Sequence, residues 1–94
     1  MNSEKEKIIE IIAKFKADLL WDEISGVFEK LPDPKTKDLL FEQYDKSIEA
    51  ASKKLNIASI ELKELIEDRA VDLINGQVFS DVQIKARLKE YGVI

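Results

Sequence analysis

The sequence predicts an all-α protein: a compact bundle of four to five helices, read as one domain over residues 1–94. Three observations predict it. Apolar residues recur at three- and four-residue spacing along most of the chain, start and stop signals for helices punctuate it, and no stretch alternates long enough for a strand. At 45% hydrophobic and 36% charged residues the chain is too apolar for a disordered tail. A domain of this size buries roughly 60 to 65% of its unfolded surface, so a core can form without disulfide or metal staples.

The first helix starts at Ser3, which forms a capping-box pattern with Glu6 three residues on. Beyond it lie two apolar stripes. At about 100° per residue, Ile8, Ile11, Ile12, Phe15 and Leu19 share one direction, while Leu20, Trp21, Ile24, Val27, Phe28 and Leu31 lie roughly 150° away. One straight helix cannot aim both stripes at one partner. Either residues 3–31 break between Lys16 and Asp22, with Asp18 or Asp22 as a new cap, or a continuous helix runs between two neighbours; the break is the favoured reading.

Pro32, Asp33 and Pro34 then stop one segment and start the next, with Asp33 as cap and Pro34 at the first helical position. The second helix, over 34–55, carries a narrow seam of Phe41, Tyr44, Ile48, Ala51 and Leu55, widened by Leu40. Asn56 tolerates a left-handed turn residue, Ile57 supplies the apolar contact after it, and Ser59 caps a third helix reaching about Asn75. Asn75 and Gly76 end that helix by the same left-handed device. Ser80 with Gln83 forms another capping box, flanked by Phe79 and Ile84 as a staple, for a last helix over about 81–91 that Gly92 closes.

The join between the second and third helices is spaced like a helix-turn-helix, with Ala51, Leu55, Ile57, Leu62 and Leu65 placed for packing around the bend. Its charge is wrong for DNA. Acids Glu61, Glu64, Glu67, Asp68 and Asp72 outnumber Lys63 and Arg69 on the third helix, and the whole chain carries a net charge of −4. A DNA-binding regulator using residues 48–74 therefore stands as the alternative reading, with Lys53, Lys54, Ser59, Lys63, Lys85, Arg87 and Lys89 as candidate phosphate or groove contacts.

The catalytic inventory is poor. With no histidine and no cysteine, the commonest general base, the strongest nucleophile and thiolate metal ligands are all missing. Glu64, Asp68 and Asp72 share a helical face and would be the residues of a cation-dependent hydrolase, but a solvated acidic stripe is the favoured account of them. The reading is a non-enzyme with no cofactor and no metal. The N-terminal segment has acids in its first turn and Glu10 among its isoleucines, so it does not read as a signal peptide, and no apolar run approaches membrane-spanning length. A cytoplasmic location is expected.

Arg69 falls inside the apolar stripe of Leu62, Leu65, Ile66, Ala70, Leu73 and Ile74, which requires an ion-pair partner or an outward reach. Other apolar residues point away from their stripes. Ile60, Val71 and Leu39 do so, Trp21 and Phe28 lie at the edge of theirs, and Val93 and Ile94 form an apolar end. Trp21, Phe28, Ile60, Val71, Val93 and Ile94 are the candidate contacts for another protein or a second copy of the chain. In size, bundle layout and a final capped helix after a turn, the chain resembles small bacteriocin immunity proteins, which act through helical-bundle contacts. That resemblance covers architecture and carries no residue across. The functional expectation is a small acidic protein-protein interaction module, such as a regulator, inhibitor or immunity-type protein.

Overall fold

The computed structural model describes residues 3–94 and contains four α-helices: α1 (Ser3–Ser25), α2 (Lys35–Leu55), α3 (Ser59–Ile74) and α4 (Asp81–Glu90). A single 3-10 turn, Phe28–Lys30, follows α1, and no strand occurs among the described residues. This is the all-helical bundle that the periodicity predicts.

Helix α1 is continuous, which corrects the expected break between Lys16 and Asp22. The two stripes do not belong to one helix: Val27, Phe28 and Leu31 lie past the end of α1 at Ser25, after left-handed Gly26 at φ 85°. Ion pairs Glu4–Lys54 and Glu23–Lys37 set α1 and α2 antiparallel, while Glu10–Arg69 and Lys16–Glu67 cross from α1 to α3. Helix α3 returns along α2, its Ser59 bonded to Ser52 and its Glu67 accepting from Tyr44, so that its end, Leu73 and Ile74, lies beside Ala17 and Trp21 of α1. Asp22 caps nothing; it is fully buried in the last turn of α1. Ile11 and Ile24, counted into the stripes, instead face outward at 68% and 61% exposure. The start of α1 falls at Ser3 itself, so the residue flanking it lies outside the described residues.

The core lies where α1, α2 and α3 meet. Tyr44, Ile48 and Ala51 of the seam on α2 face Ile12, Ala13 and Leu19 of α1 and Leu62, Ile66 and Ala70 of α3. Ala13 and Ala70 are wholly buried, and their small side chains let α1 and α3 approach closely along their length. Burying a leucine or isoleucine such as Leu62 or Ile66 contributes about 1.5 to 3 kcal/mol, so this trio of helices carries most of the apolar stabilisation. Leu65 lies at the rim, 39% exposed.

Local signals set the ends. Helix α2 begins at Lys35, so the cap position falls to Pro34 and not to Asp33 as expected, although Asp33 Oδ1 still accepts from the Lys35 amide at 2.9 Å. Asn56 adopts the left-handed conformation at φ 54°, and the Ile57 amide reaches back to the Ser52 carbonyl, closing α2. Ser59 is not the cap of α3. That position belongs to Ala58, whose carbonyl accepts from the Leu62 amide, while the Ser59 hydroxyl donates to Ser52 Oγ and Ser52 in turn donates to the Ile57 carbonyl. The side chains are spent on tying the corner. At the other end of α3, Asn75 is extended and only Gly76 is left-handed, because a β-turn from Ile74 to Gln77 replaces the expected left-handed cap at Asn75. The Ser80–Gln83 capping box is present in full. Gly92 closes α4 with amide bonds from Gly92 to Lys89 and from Val93 to Leu88, a Schellman pattern.

Candidate functional site

Helix α4 is held by chemistry more than by apolar area. Leu88 is its one buried residue, yet Arg87 reaches across to Asp22 of α1 with two parallel bonds, Nε to Oδ1 at 2.8 Å and Nη2 to Oδ2 at 2.9 Å. The Tyr91 hydroxyl donates to the same carboxylate, and Arg87 Nη1 also bonds Glu90 at 2.7 Å. Bidentate pairing with a planar guanidinium is what lets a fully buried carboxylate exist at all, since an unpaired one would forfeit its hydration. The Asp22 carboxylate raises the Arg87 guanidinium above its ordinary value, and burial with the Asp22 hydrogen bond holds the Tyr91 phenol protonated well into the alkaline range. Aromatic contacts extend the dock: Trp21 lies 5.4 Å from Phe79, and Phe28 lies 6.3 Å from Phe41 and 6.5 Å from Tyr91.

Because α4 touches only the C-terminal half of α1, a groove remains between α1, the end of α3 and α4. Two connected hollows of about 300 and 320 Å³ share Asp18, Trp21 and Gln77 as lining. One half is bounded by Ala17, Leu73 and Ile74 with Lys14 at its end; the other is bounded by Gln83, Ala86, Arg87 and Glu90. Val78 and Val82 stand beside it in sequence with Phe79, exposed at 63% and 78%. Apolar surface of this kind, rimmed by polar groups, is the usual form of a protein contact. Burial pushes the Asp18 carboxyl above its ordinary value, with nearby Asp22 and Glu90 adding to the push and Arg87 opposing it.

Of the candidates read from the sequence, Trp21 lines this groove and Phe28 does not: its ring is half-buried between α2 and Tyr91, with the Lys37 ammonium 5.7 Å from its centre. Ile60 and Val71 are exposed on α3 at 74% and 56%, and Ile94 is exposed at 66% while Val93 is half-buried. The structure gathers none of these four beside Trp21 in the groove.

The candidate cations are divided. Lys53, Lys54, Ser59 and Lys63 lie at the α2–α3 corner, and Lys85, Arg87 and Lys89 lie on α4, docked at Asp22. Glu4, which pairs with Lys54, and Asp22, which pairs with Arg87, are roughly 27 Å apart along α1 at 1.5 Å per residue. Lys54 and Arg87 are therefore tied to carboxylates at opposite ends of one helix. The corner also has a hollow lined by Ser59, Ile60 and Lys63, and Asp45 and Glu49 stand on its other wall. Glu64, Asp68 and Asp72 are exposed along α3, and among the described residues no three carboxylates converge on a metal-sized site. Arg69 has its carboxylate, Glu10, through bonds of 2.8 and 3.1 Å, a partly exposed structural pair between α1 and α3.

Sequence reasoning missed Asp22, Asp18, Gln77, Val78, Phe79, Val82, Gln83 and Glu90. Asp22 had a usable signal: three residues after Leu19, it falls within the apolar face as Arg69 does on α3. Among the described residues no helix is long and apolar enough to cross a membrane. No family model, curated protein or solved structure matches the chain.

Proposed function

We propose that this protein is a non-enzymatic helical interaction module that receives another protein in the groove between α1, α3 and α4. The observation that carries this reading is the partly exposed Trp21 in a groove with Ala17, Leu73 and Ile74, beside the exposed Val78, Phe79 and Val82. Aromatic side chains in desolvating hollows are the commonest anchors of protein contacts, and here the Trp21 ring already packs against Phe79, 5.4 Å between ring centres. A rigid anchor costs little entropy on binding. The division of the cations and the carboxylates at the α2–α3 corner favour this reading over DNA recognition by residues 48–74.

The test is affinity capture from native extract with the whole chain, run beside Ala86→Trp, which fills the groove with a neutral side chain, and Leu39→Glu, an exposed control on α2. A partner retained by the parent chain and by Leu39→Glu, and lost by Ala86→Trp, supports the reading. Retention by all three, or no partner together with monomeric sedimentation, contradicts it. A gel shift that persists at about 50 mM salt and weakens steeply above it would instead support the DNA-binding alternative.

A further inference from the structure

The groove is lopsided in charge, and the imbalance names the chemistry of its occupant. At the α4 end three carboxylates, Asp18, Asp22 and Glu90, face the single guanidinium of Arg87. Arg87 is already divided between Asp22 and Glu90, at 2.8, 2.9 and 2.7 Å. Among the described residues Asp18 has neither an ion pair nor a hydrogen bond to its side chain. Lys14 lines the opposite end, beyond Ala17 and Trp21. Gln77 and Gln83 add amides that can donate or accept but cannot neutralise a charge. The result is a carboxylate in partial shelter, one helical turn from an indole ring, with an apolar wall on its other side.

We infer that the groove binds a basic amphipathic segment of another protein, its Lys or Arg set between Asp18 and Glu90 and its neighbouring apolar side chain laid on Trp21, Ala17 and Leu73. This rests on the reading of the groove as a docking site and adds the partner's chemistry. A cation from outside satisfies Asp18 without competing for Arg87, and its alkyl stem can lie over the Trp21 ring. An acidic segment would meet a surplus of like charge at short range, which opposes binding.

The chain has one tryptophan, so Trp21 emission reports on this groove alone. The probe is a synthetic amphipathic helix of leucine and lysine, with a matched peptide carrying glutamate for lysine, titrated at low and high salt. The leucine–lysine peptide is expected to shift Trp21 emission to the blue and saturate, weakening with salt, and the glutamate peptide to leave it unchanged. Asp18→Lys should weaken binding about tenfold or more, as loss of a sheltered charge contact does. Ala86→Arg, which places a cation on the α4 wall and leaves Asp18 intact, should do the same. Glu49→Lys, in the separate hollow at the α2–α3 corner, should leave binding unchanged. Equal weakening by Glu49→Lys and Asp18→Lys would reduce the effect to diffuse attraction and overturn the inference. So would Trp21 emission that responds to neither peptide, or a dimer whose dissociation exposes Trp21. Binding of the glutamate peptide at Trp21 would overturn the charge assignment while leaving the docking reading standing.

Discussion

Asp22 shows how one polar residue can organise a helix contact. Its carboxylate is wholly inaccessible, yet Arg87 and Tyr91 supply three hydrogen bonds, and among the described residues no buried side-chain polar atom lacks a partner. Breaking such a pair on one side typically costs about 3 to 5 kcal/mol because a charge is left buried. Arg87→Ala should therefore lower stability severely in chemical denaturation, and Glu90→Ala, which removes only an exposed partner, should cost under about 1 kcal/mol. Asp22→Leu combined with Arg87→Leu should recover much of the loss, since apolar replacement removes both charges together. Asp18 behaves oppositely. Its folded carboxyl lies above the ordinary value of 3.8, so the folded state holds the proton more tightly and stability falls as pH rises through that window. Asp18→Asn should raise the thermal midpoint at pH 7, with the gain closing as pH falls toward 3.8; a gain unchanged at low pH contradicts this account.

At the scale of elements, the helices are legible because their ends are chemical. Asp33, Asn56, Ser80 with Gln83, and Gly92 each act at a helix end as their side-chain chemistry implies. Ser80→Ala should cost about 0.5 to 2 kcal/mol by removing the cap of α4, read as weaker protection of α4 amides in hydrogen exchange. The continuity of α1 was not legible, because periodicity records which faces are apolar and not how many partners will cover them. The stripes favour a break between Lys16 and Asp22, but the chain turns only at left-handed Gly26, leaving Val27, Phe28 and Leu31 beyond α1. Close approach of α1 and α3 depends on Ala13 and Ala70. Ala70→Leu should overpack that contact and cost about 1 to 3 kcal/mol, measured as a lower denaturation midpoint with an unchanged slope. A midpoint equal to the parent would show that the helices are not held that closely.

On the scale of the molecule, a three-helix core carries a fourth helix on a polar dock, and the space left beside that dock is the groove. Trp21 could be picked out from the sequence as an off-stripe aromatic. Its surroundings could not, since Phe79 and Gln83 reach it only through the Ile74–Gln77 turn and the bond of Arg87 to Asp22, both set by tertiary contact. Ile60 and Val71 were equally conspicuous as apolar residues and are exposed on α3 away from the groove, Ile60 in the hollow at the α2–α3 corner. The central claim is that partners dock at the groove and not at the other exposed apolar positions. Photo-cross-linking tests it most directly, with a photoreactive residue placed in turn at Ala86, Ile60 and Leu39 of the whole chain in native extract. The account predicts one discrete adduct from Ala86, competed away by the leucine–lysine helix, and none from Ile60 or Leu39. Adducts of equal yield from all three positions, or an adduct from Ile60 alone, would contradict it.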